Sequence, residues 1–125
     1  KQAKDLGIGK RIDARVENIN KLPEEKFDII FSRWTLQLIE KESMKEYIDS
    51  LKKTYPDAIH THIVPIPSVS FGEGFVATEG LLRSAYEDWD VLFYEECHVL
   101  SRAPNKKGEH YLVREARIIA QIPKK

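Results

Sequence analysis

Short apolar runs alternate with helical patterns along most of the chain. Three runs are rich in β-branched and aromatic residues and predict strands, namely "FDIIFS", "AIHTHIVPI" and "DVLFYEECHVLSR". Two further strands are predicted in "RIDARVEN", near the start, and in "HYLVREARIIAQI", near the end. Because proline cannot donate to a sheet ladder, we expect the "AIHTHIVPI" strand to be stopped by Pro65 and Pro67.

Helical segments separate the early strands. Apolar residues repeat at helical spacing, with an interruption near Lys41–Ser43, at Leu36, Ile39, Met44, Tyr47, Ile48 and Leu51. Ser43 and Glu46 resemble a capping box, so a second helical segment is predicted to begin there and to end near Tyr55–Pro56. The stretch "ATEGLLRSAYEDW" predicts a helix capped by Thr78, and "KQAKDLG" predicts a last helical turn closed by Gly7.

The order of these elements predicts the fold class. Strands alternate with helices early in the chain, whereas only the turn "APNKKGE" separates the last two strands. This order is typical of an α/β domain whose mixed sheet has helices on its faces and an antiparallel strand pair near the C-terminus. The run "FDIIFS" is expected to be covered on both faces. A chain of 125 residues has the size of one domain, so we predict a single domain over residues 1–125.

Composition narrows the classes of protein. The chain is 42% hydrophobic and 32% charged, as is usual for a soluble globular protein. Twenty basic residues offset twenty acidic ones, so no overall positive field favours a nucleic-acid partner. No apolar stretch approaches the ~20 residues that span a bilayer, so no membrane partner is expected. The single cysteine, Cys97, cannot form an intramolecular disulfide, which favours a cytoplasmic location.

Two segments resemble a known family. In "GKRIDARVENINKLPEEKFDIIFSRWTLQLIE", the pieces "VENINKLP" and "FDIIFS" are similar to the central part of class I S-adenosylmethionine-dependent methyltransferases. The tail "EGLLRSAYEDWDVLFYEECHVLSR", with the later "GEHYLVREARIIAQIPKK", resembles the end of the tellurite-resistance type of that family. The resemblance implies a Rossmann-like methyltransferase fold, a three-layer α/β/α arrangement with sheet order 3-2-1-4-5-7-6.

The glycine-rich donor loop of that family is not found in the chain. The stretch "DLGIGK" at residues 5–10 imitates it, but the preceding "KQAK" is polar and helical instead of a buried strand. We interpret the stretch as a helix end, and a degenerate donor loop is the alternative. The fold is therefore expected to be incomplete at its N-terminus. A longer protein, a second chain that completes the sheet and a fold that has departed from the family are the three explanations, and we favour the first.

The resemblance also implies a binding site for the methyl donor. Asn18 would approach the adenine amino group, and Ile19 would pack on the adenine ring. Ser32, Arg33 and Trp34 would lie at the carboxyl end of the "FDIIFS" strand, where open α/β sheets bind ligands, around the methionine part of the donor. Each has a structural alternative, such as a strand-end turn for Asn18 or core packing for Trp34.

Two other features concern the acceptor and a metal. Gln37 would look into the acceptor pocket, and exposure on a helix is its alternative. His60 and His62 are two apart on a predicted strand and so point to one face. Because no third ligand has a supporting spacing, no metal site is expected.

The resemblance implies S-adenosylmethionine as the methyl donor and a small molecule as the acceptor. Methyl transfer requires alignment and a dry pocket more than acid–base groups, so the sequence names no catalytic residue. One alternative is a non-catalytic methyltransferase-like module that lacks the donor loop and binds or regulates a partner. Another is a different doubly wound protein, such as a nucleotide-binding or signalling domain, which would lack the final antiparallel strand pair. The oligomeric state is open.

Overall fold

The structure, a computed structural model, describes residues 21–36, 41–67 and 80–123. Its elements follow the chain in the order β1 (Ile29–Arg33), α1 (Lys41–Thr54), β2 (Ile59–Ile66), α2 (Leu81–Ala85), β3 (Asp90–Leu100) and β4 (Leu112–Gln121). These elements confirm four of the predicted strands, the second helical segment after "FDIIFS" and the helix in "ATEGLLRSAYEDW". Residues 37–40 of the first helical segment lie outside the described residues. The strand predicted in "RIDARVEN", the helix end in "KQAKDLG" and the cap at Thr78 lie outside the described residues.

The four strands form one mixed sheet in the order β1-β2-β4-β3. β1 and β2 are parallel, with Ile29 opposite Ile59, whereas β4 is antiparallel to both β2 and β3. The order is the one that the family resemblance implies for its last four strands, so the predicted fold class is confirmed. Because β3 runs in the same direction as β1, the carboxyl ends of β1, β2 and β3 meet at one edge of the sheet.

Helix α1 presents an apolar stripe to the sheet. Met44, Ile48 and Leu51 are buried at the spacing of one helical face. The helix begins at Lys41, so the prediction that it begins at Ser43 was wrong: Ser43 lies inside the first turn, in a run of good helix formers. It ends at Thr54, as predicted. At 14 residues it is the longest helix in the described ranges, none of whose helices is long and apolar enough to cross a membrane.

Strand β2 passes through Pro65, although the sequence predicted that this proline would help to stop it. Pro65 lies in the ladder opposite Glu115 of β4. Its nitrogen faces the same side as the carbonyl of Ile63, which accepts from the backbone N–H of Trp34 at the end of β1. Since β1 ends at Arg33, no ladder partner faces the position where Pro65 lacks its N–H. The strand can therefore continue to Ile66.

Both described helices pack on the same face of the sheet. The main core cluster of this face consists of Leu36, Met44, Ile48, Val64, Ile66, Leu82, Ala85, Tyr86, Trp89, Ala116, Ile118 and Ala120. Lys52 of α1 ties the two helical segments together, because its Nζ donates to the carbonyl of Ala85 at 2.8 Å and pairs with Asp88. The cluster therefore joins one helical layer to the sheet.

The opposite face of β1 is apolar and exposed. Ile29 and Phe31 retain 60% and 62% of their accessible surface, whereas Ile30 packs against Leu51 and Tyr55 on the helical side. The expectation that "FDIIFS" is covered on both faces therefore fails within the described residues. β1 is also an outer strand of the described sheet, so one of its edges has no strand partner there.

Candidate active site

The end of β1 contains a strained residue. Trp34 has φ = 52°, in the left-handed region that a bulky side chain rarely adopts. Its backbone N–H donates to the carbonyl of Ile63 at 2.7 Å, which extends the contact between β1 and β2 by one residue. Such a conformation costs about 1–3 kcal/mol, and residues of this kind concentrate at functional sites. The strain therefore marks the end of β1 as a candidate site.

A buried carboxylate holds the side chain of Trp34. The indole Nε1–H donates to Oε1 of Glu115 at 3.2 Å, and Nε of Arg117 donates to Oε2 of the same residue at 2.7 Å. Glu115 is 1% exposed and lies on β4, far from Trp34 in sequence. The hydrogen bond that Arg117 donates to Glu115 raises the pKa of Arg117 above its usual value. The indole is thus fixed to the inner part of the sheet.

A small cavity opens at the carboxyl edge of the sheet, beside Trp34. It has a volume of about 210 Å³ and is lined by Arg33, Trp34, Val99, Leu100, Ser101, Arg102, Ala103 and Tyr111. Two of these described lining residues are arginines and none is acidic. Pockets for drug-sized ligands are roughly 300–1,000 Å³. The cavity therefore has room for a small molecule or for one end of a larger cofactor.

The hairpin between β3 and β4 forms one wall of this cavity. Ser101 is buried, and its Oγ accepts from the backbone N–H of Tyr111 at 3.1 Å and donates to the carbonyl of Ala103 at 2.9 Å. Gly108 has φ = 79° and closes the turn through a backbone hydrogen bond to Asn105. The turn "APNKKGE" is recognisable in the sequence, but no local pattern indicates that its flanks share an edge with Trp34, because strand direction alone decides this.

The structure separates the three predicted site residues at the end of β1. Arg33 and Trp34 both line the cavity, and the Arg33 guanidinium lies 5.9 Å from the centre of the indole ring. The Ser32 side chain turns to the helical face instead, where its Oγ is 2.6 Å from Nδ1 of His62. Three other predicted residues lie outside the described ranges: Asn18, Ile19 and Gln37.

A buried chain of hydrogen bonds begins at Ser32. The carbonyl of Tyr55 can only accept, so the Nε2 of His60 carries a proton and donates to it at 2.9 Å. The Nδ1 of neutral His60 then accepts from the Tyr86 hydroxyl at 2.8 Å, and that hydroxyl accepts from Nε2 of His62 at 2.9 Å. The remaining nitrogen of His62 accepts from Ser32. Every donor and acceptor of the two imidazoles is satisfied.

Burial keeps this chain uncharged. It lowers the pKa of His62 to about 3, and it lowers the pKa of His60 against a smaller opposing effect of the Tyr55 carbonyl. Burial also raises the pKa of Tyr86. His60 and His62 share one face, as predicted, but all of their nitrogens are engaged. No group of three His, Cys, Asp or Glu residues that could hold a metal ion occurs in the described ranges.

A larger concavity lies elsewhere on the molecule. It has a volume of about 640 Å³, is wide open to solvent and lies between α2 and the middle of β3. Its polar groups bond to one another, since Glu96 accepts from the Tyr94 hydroxyl at 2.6 Å and from the backbone N–H of Gly80 at 3.2 Å. It is away from the carboxyl edge of the sheet, so we assign it no role.

Comparison with known proteins identifies relatives of this fold. The model of the family described as "Tellurite resistance protein TehB" matches residues 1–116. The crystal structure of TehB from Haemophilus influenzae aligns with a TM-score of 0.79 at 17% identity, covering 98% of this chain and 44% of that chain. The N-methyltransferase NodS from Bradyrhizobium japonicum WM9, in complex with S-adenosyl-l-homocysteine, aligns with a TM-score of 0.56 at 19% identity, covering 92% and 61%.

A third structure extends the comparison to another protein. It is described as "Conversion of a Disulfide Bond into a Thioacetal Group during Echinomycin Biosynthesis" and aligns with a TM-score of 0.61 at 15% identity, covering 96% of this chain and 61% of that chain. At such identities the likeness to each structure shows the fold alone. The chain spans between 44% and 61% of the length of these solved chains. No relative was found among curated proteins.

Proposed function

We propose that this chain, which belongs to the tellurite resistance protein TehB family, is part of an S-adenosylmethionine-dependent methyltransferase with a small-molecule acceptor. The observation that carries the proposal is the cavity at the carboxyl edge of the sheet, with Arg33 and the strained Trp34 in its wall. Open α/β sheets bind their ligands at this edge. Because the chain spans 44% of the TehB chain from H. influenzae, the activity is proposed for the complete protein.

The described residues fit one end of the methyl donor. S-adenosylmethionine supplies an electrophilic methyl group on a sulfonium. No carboxylate of the described residues lies within ion-pair distance of Arg33, so its guanidinium can pair with the carboxylate of the methionine part. The indole of Trp34 offers an aromatic face, which attracts a cation. We further propose Asn18 and Ile19 as the adenine contacts, and the backbone of Ser32, whose side chain bonds to His62, for the methionine part.

The size and charge of the cavity support a small acceptor. Besides Arg33, which is assigned to the carboxylate of the donor, Arg102 gives the described lining a second positive charge, which favours an anionic acceptor. Gln37 is proposed to face the acceptor. The name of the family refers to tellurite, and this anion therefore belongs in a panel of acceptors beside small thiols and amines. The residues named here would orient the acceptor and exclude water, and no acid–base group is required for the transfer.

Binding of S-adenosylhomocysteine to the complete protein tests the proposal. Isothermal titration calorimetry is expected to show one binding site per chain. A separate assay with labelled S-adenosylmethionine is expected to show methyl transfer to a member of the acceptor panel. A module that lacks the donor site would bind no S-adenosylhomocysteine. That result would contradict the enzyme hypothesis and favour the alternative, a methyltransferase-like binding or regulatory module.

A Trp34→Ala variant tests the position of the site within the complete protein. Loss of the aromatic wall is expected to weaken S-adenosylhomocysteine binding about tenfold and to lower turnover. Trp89→Phe is the matched control, because Trp89 is buried on the helical face and outside the cavity lining. Unchanged affinity and turnover in Trp34→Ala would show that the pocket is elsewhere.

We also propose a cytoplasmic location. Cys97 is the single cysteine of the chain and is free, and its partial burial raises the pKa of its thiol, which keeps it in the less reactive protonated form. The balance of acidic and basic residues supports the absence of a nucleic-acid partner. Cell fractionation with an antibody to the protein would test the location.

A further inference from the structure

Glu115 is a buried carboxylate on an inner strand of the sheet. Its neighbours in the ladder are Pro65 on β2 and Cys97 on β3. Burying a charged group among such neighbours is costly unless it is paired, and an apolar residue of similar volume is often as stable or more stable. Stability by itself therefore gives a weak reason for a glutamate at this position.

The two oxygens of Glu115 are divided between two partners. Oε2 accepts from Nε of Arg117, whose side chain is partly exposed. Oε1 accepts from the indole Nε1–H of Trp34. Arg117 thus balances the charge, while the other oxygen is directed at a residue that lines the cavity.

The geometry of Trp34 shows what this second contact does. The backbone of Trp34 is anchored to Ile63 in a left-handed conformation. Because of this conformation, the side chain does not follow the alternation of faces along β1. The backbone anchor does not set the side-chain torsions, and the bond from Nε1 to Glu115 restricts them. Two anchors at opposite ends of the residue fix the plane of the indole ring.

We propose that Glu115 is a positioning residue, which locks the indole of Trp34 as a wall of the cavity and thereby sets the affinity of the site for its ligand. The lock itself stands on the geometry of Trp34 and Glu115. Its consequence for the ligand rests on the proposed function, in which the cavity receives the donor or the acceptor. A purely structural role, in which Glu115 only neutralises Arg117, is the competing explanation.

Tryptophan fluorescence of the complete protein measures the lock without any ligand. In a Trp89→Phe background, Trp34 is the remaining tryptophan of this chain, and tryptophans in any further part of the protein would be replaced as well. Glu115→Gln keeps the size of the side chain but removes its charge. It is expected to shift the Trp34 emission and to raise its acrylamide quenching about twofold.

Glu95→Gln is the matched control. Glu95 is half exposed and also lies near Arg117, at 4.0 Å, but the structure gives it no contact with Trp34. It is expected to leave the emission and quenching unchanged. If Glu115→Gln and Glu95→Gln behave alike, Glu115 acts only through Arg117 and the proposal is overturned.

A double-mutant cycle measures the consequence for binding. Trp34→Phe keeps an aromatic ring but removes the donor N–H, and Glu115→Gln changes its acceptor. Each single variant is expected to weaken S-adenosylhomocysteine binding about fivefold. The double variant is expected to have the same affinity as the single variant that binds less tightly. Additive losses would contradict the lock. If the parent protein binds no S-adenosylhomocysteine while the fluorescence changes occur, the proposed function fails and the lock stands.

Discussion

At the scale of single residues, the alternation of side chains along β1 decides which of them reach the cavity. Ser32, Arg33 and Trp34 are consecutive, and the sequence placed all three at the carboxyl end of a strand. Since neighbouring side chains of a strand point to opposite faces, Ser32 bonds to His62 on the helical face while Arg33 turns to the other face. The left-handed conformation of Trp34 then brings its indole beside Arg33.

The hydroxyl of Tyr86 joins two histidines that the sequence placed on one face. The period of a strand is enough to predict that His60 and His62 share a face. The partner between them is 24 and 26 residues away in the chain, so only the packing of α2 on the sheet could supply it. The same contacts explain why the imidazoles fill the core as neutral, satisfied groups.

A Tyr86→Phe variant tests the buried chain of hydrogen bonds. Without the hydroxyl, the Nδ1 of His60 loses its donor and the Nε2–H of His62 loses its acceptor. Each of the two unsatisfied buried groups costs about 1–3 kcal/mol, so the free energy of unfolding should fall by about 2–6 kcal/mol. Urea unfolding measures it, with Tyr94→Phe, whose hydroxyl bonds to partly exposed Glu96, as the control. A loss no larger than that of the control would contradict the chain.

At the scale of elements, local pattern predicted where most strands and helices lie but misjudged two boundaries. Pro65 was expected to end a strand, yet its missing N–H faces a gap in the sheet where β1 has ended. Ser43 was expected to begin a helix, yet α1 begins at Lys41. For Pro65, the end of β1 decides that the missing N–H costs little, and this end is not visible in the local pattern around Pro65. For Ser43, the good helix formers around it let α1 begin two residues earlier.

The β3–β4 hairpin shows how one side chain can organise an element of the site. Ser101→Ala removes the acceptor for the Tyr111 N–H and the donor to the Ala103 carbonyl. We expect a loss of about 1–2 kcal/mol in the free energy of unfolding and faster amide exchange of Tyr111. Ser84→Ala, at an exposed position on α2, is the control. Amide exchange at the rate of the parent protein would show that the hairpin does not depend on Ser101.

At the scale of the whole molecule, the sheet has one covered face and one face with exposed apolar residues. Ile29 and Phe31 of β1, together with Phe93 and Ile119, are exposed on the face opposite the described helices. The sheet order of the described strands equals the last four positions in the order that the family resemblance implies. The chain belongs to a family whose solved member from H. influenzae is more than twice as long. These observations agree with the expectation that a longer protein supplies the rest of the sheet.

The pH dependence of stability follows from the buried histidines. The pKa values of His60 and His62 are lowered in the folded protein, so the unfolded chain binds more protons below about pH 6.5. Stability is therefore present above pH 6.5 and is lost as the pH falls toward 3. A histidine that stays neutral when folded should contribute about 2 kcal/mol of this loss between pH 7 and pH 5.

Urea unfolding at pH 7, 6 and 5 measures this dependence. A His62→Gln variant should lose the part of this pH dependence that His62 contributes, whereas Ser84→Ala, which changes no titratable group at an exposed position, should keep all of it. An identical slope in His62→Gln and in the parent protein would contradict the assignment of the loss to His62.

The sequence by itself determined the type and approximate position of the described elements, the mixed sheet with its antiparallel pair, and the family. These features depend on the period of apolar residues and on short motifs, which are local in the chain. The tertiary structure decided which distant side chains contact one another. It placed Glu115 against Trp34 and Tyr86 between His60 and His62, and it brought the hairpin at Ser101 to the edge where β1 ends. Contacts between residues distant in the chain depend on strand order and direction, which no local pattern contains.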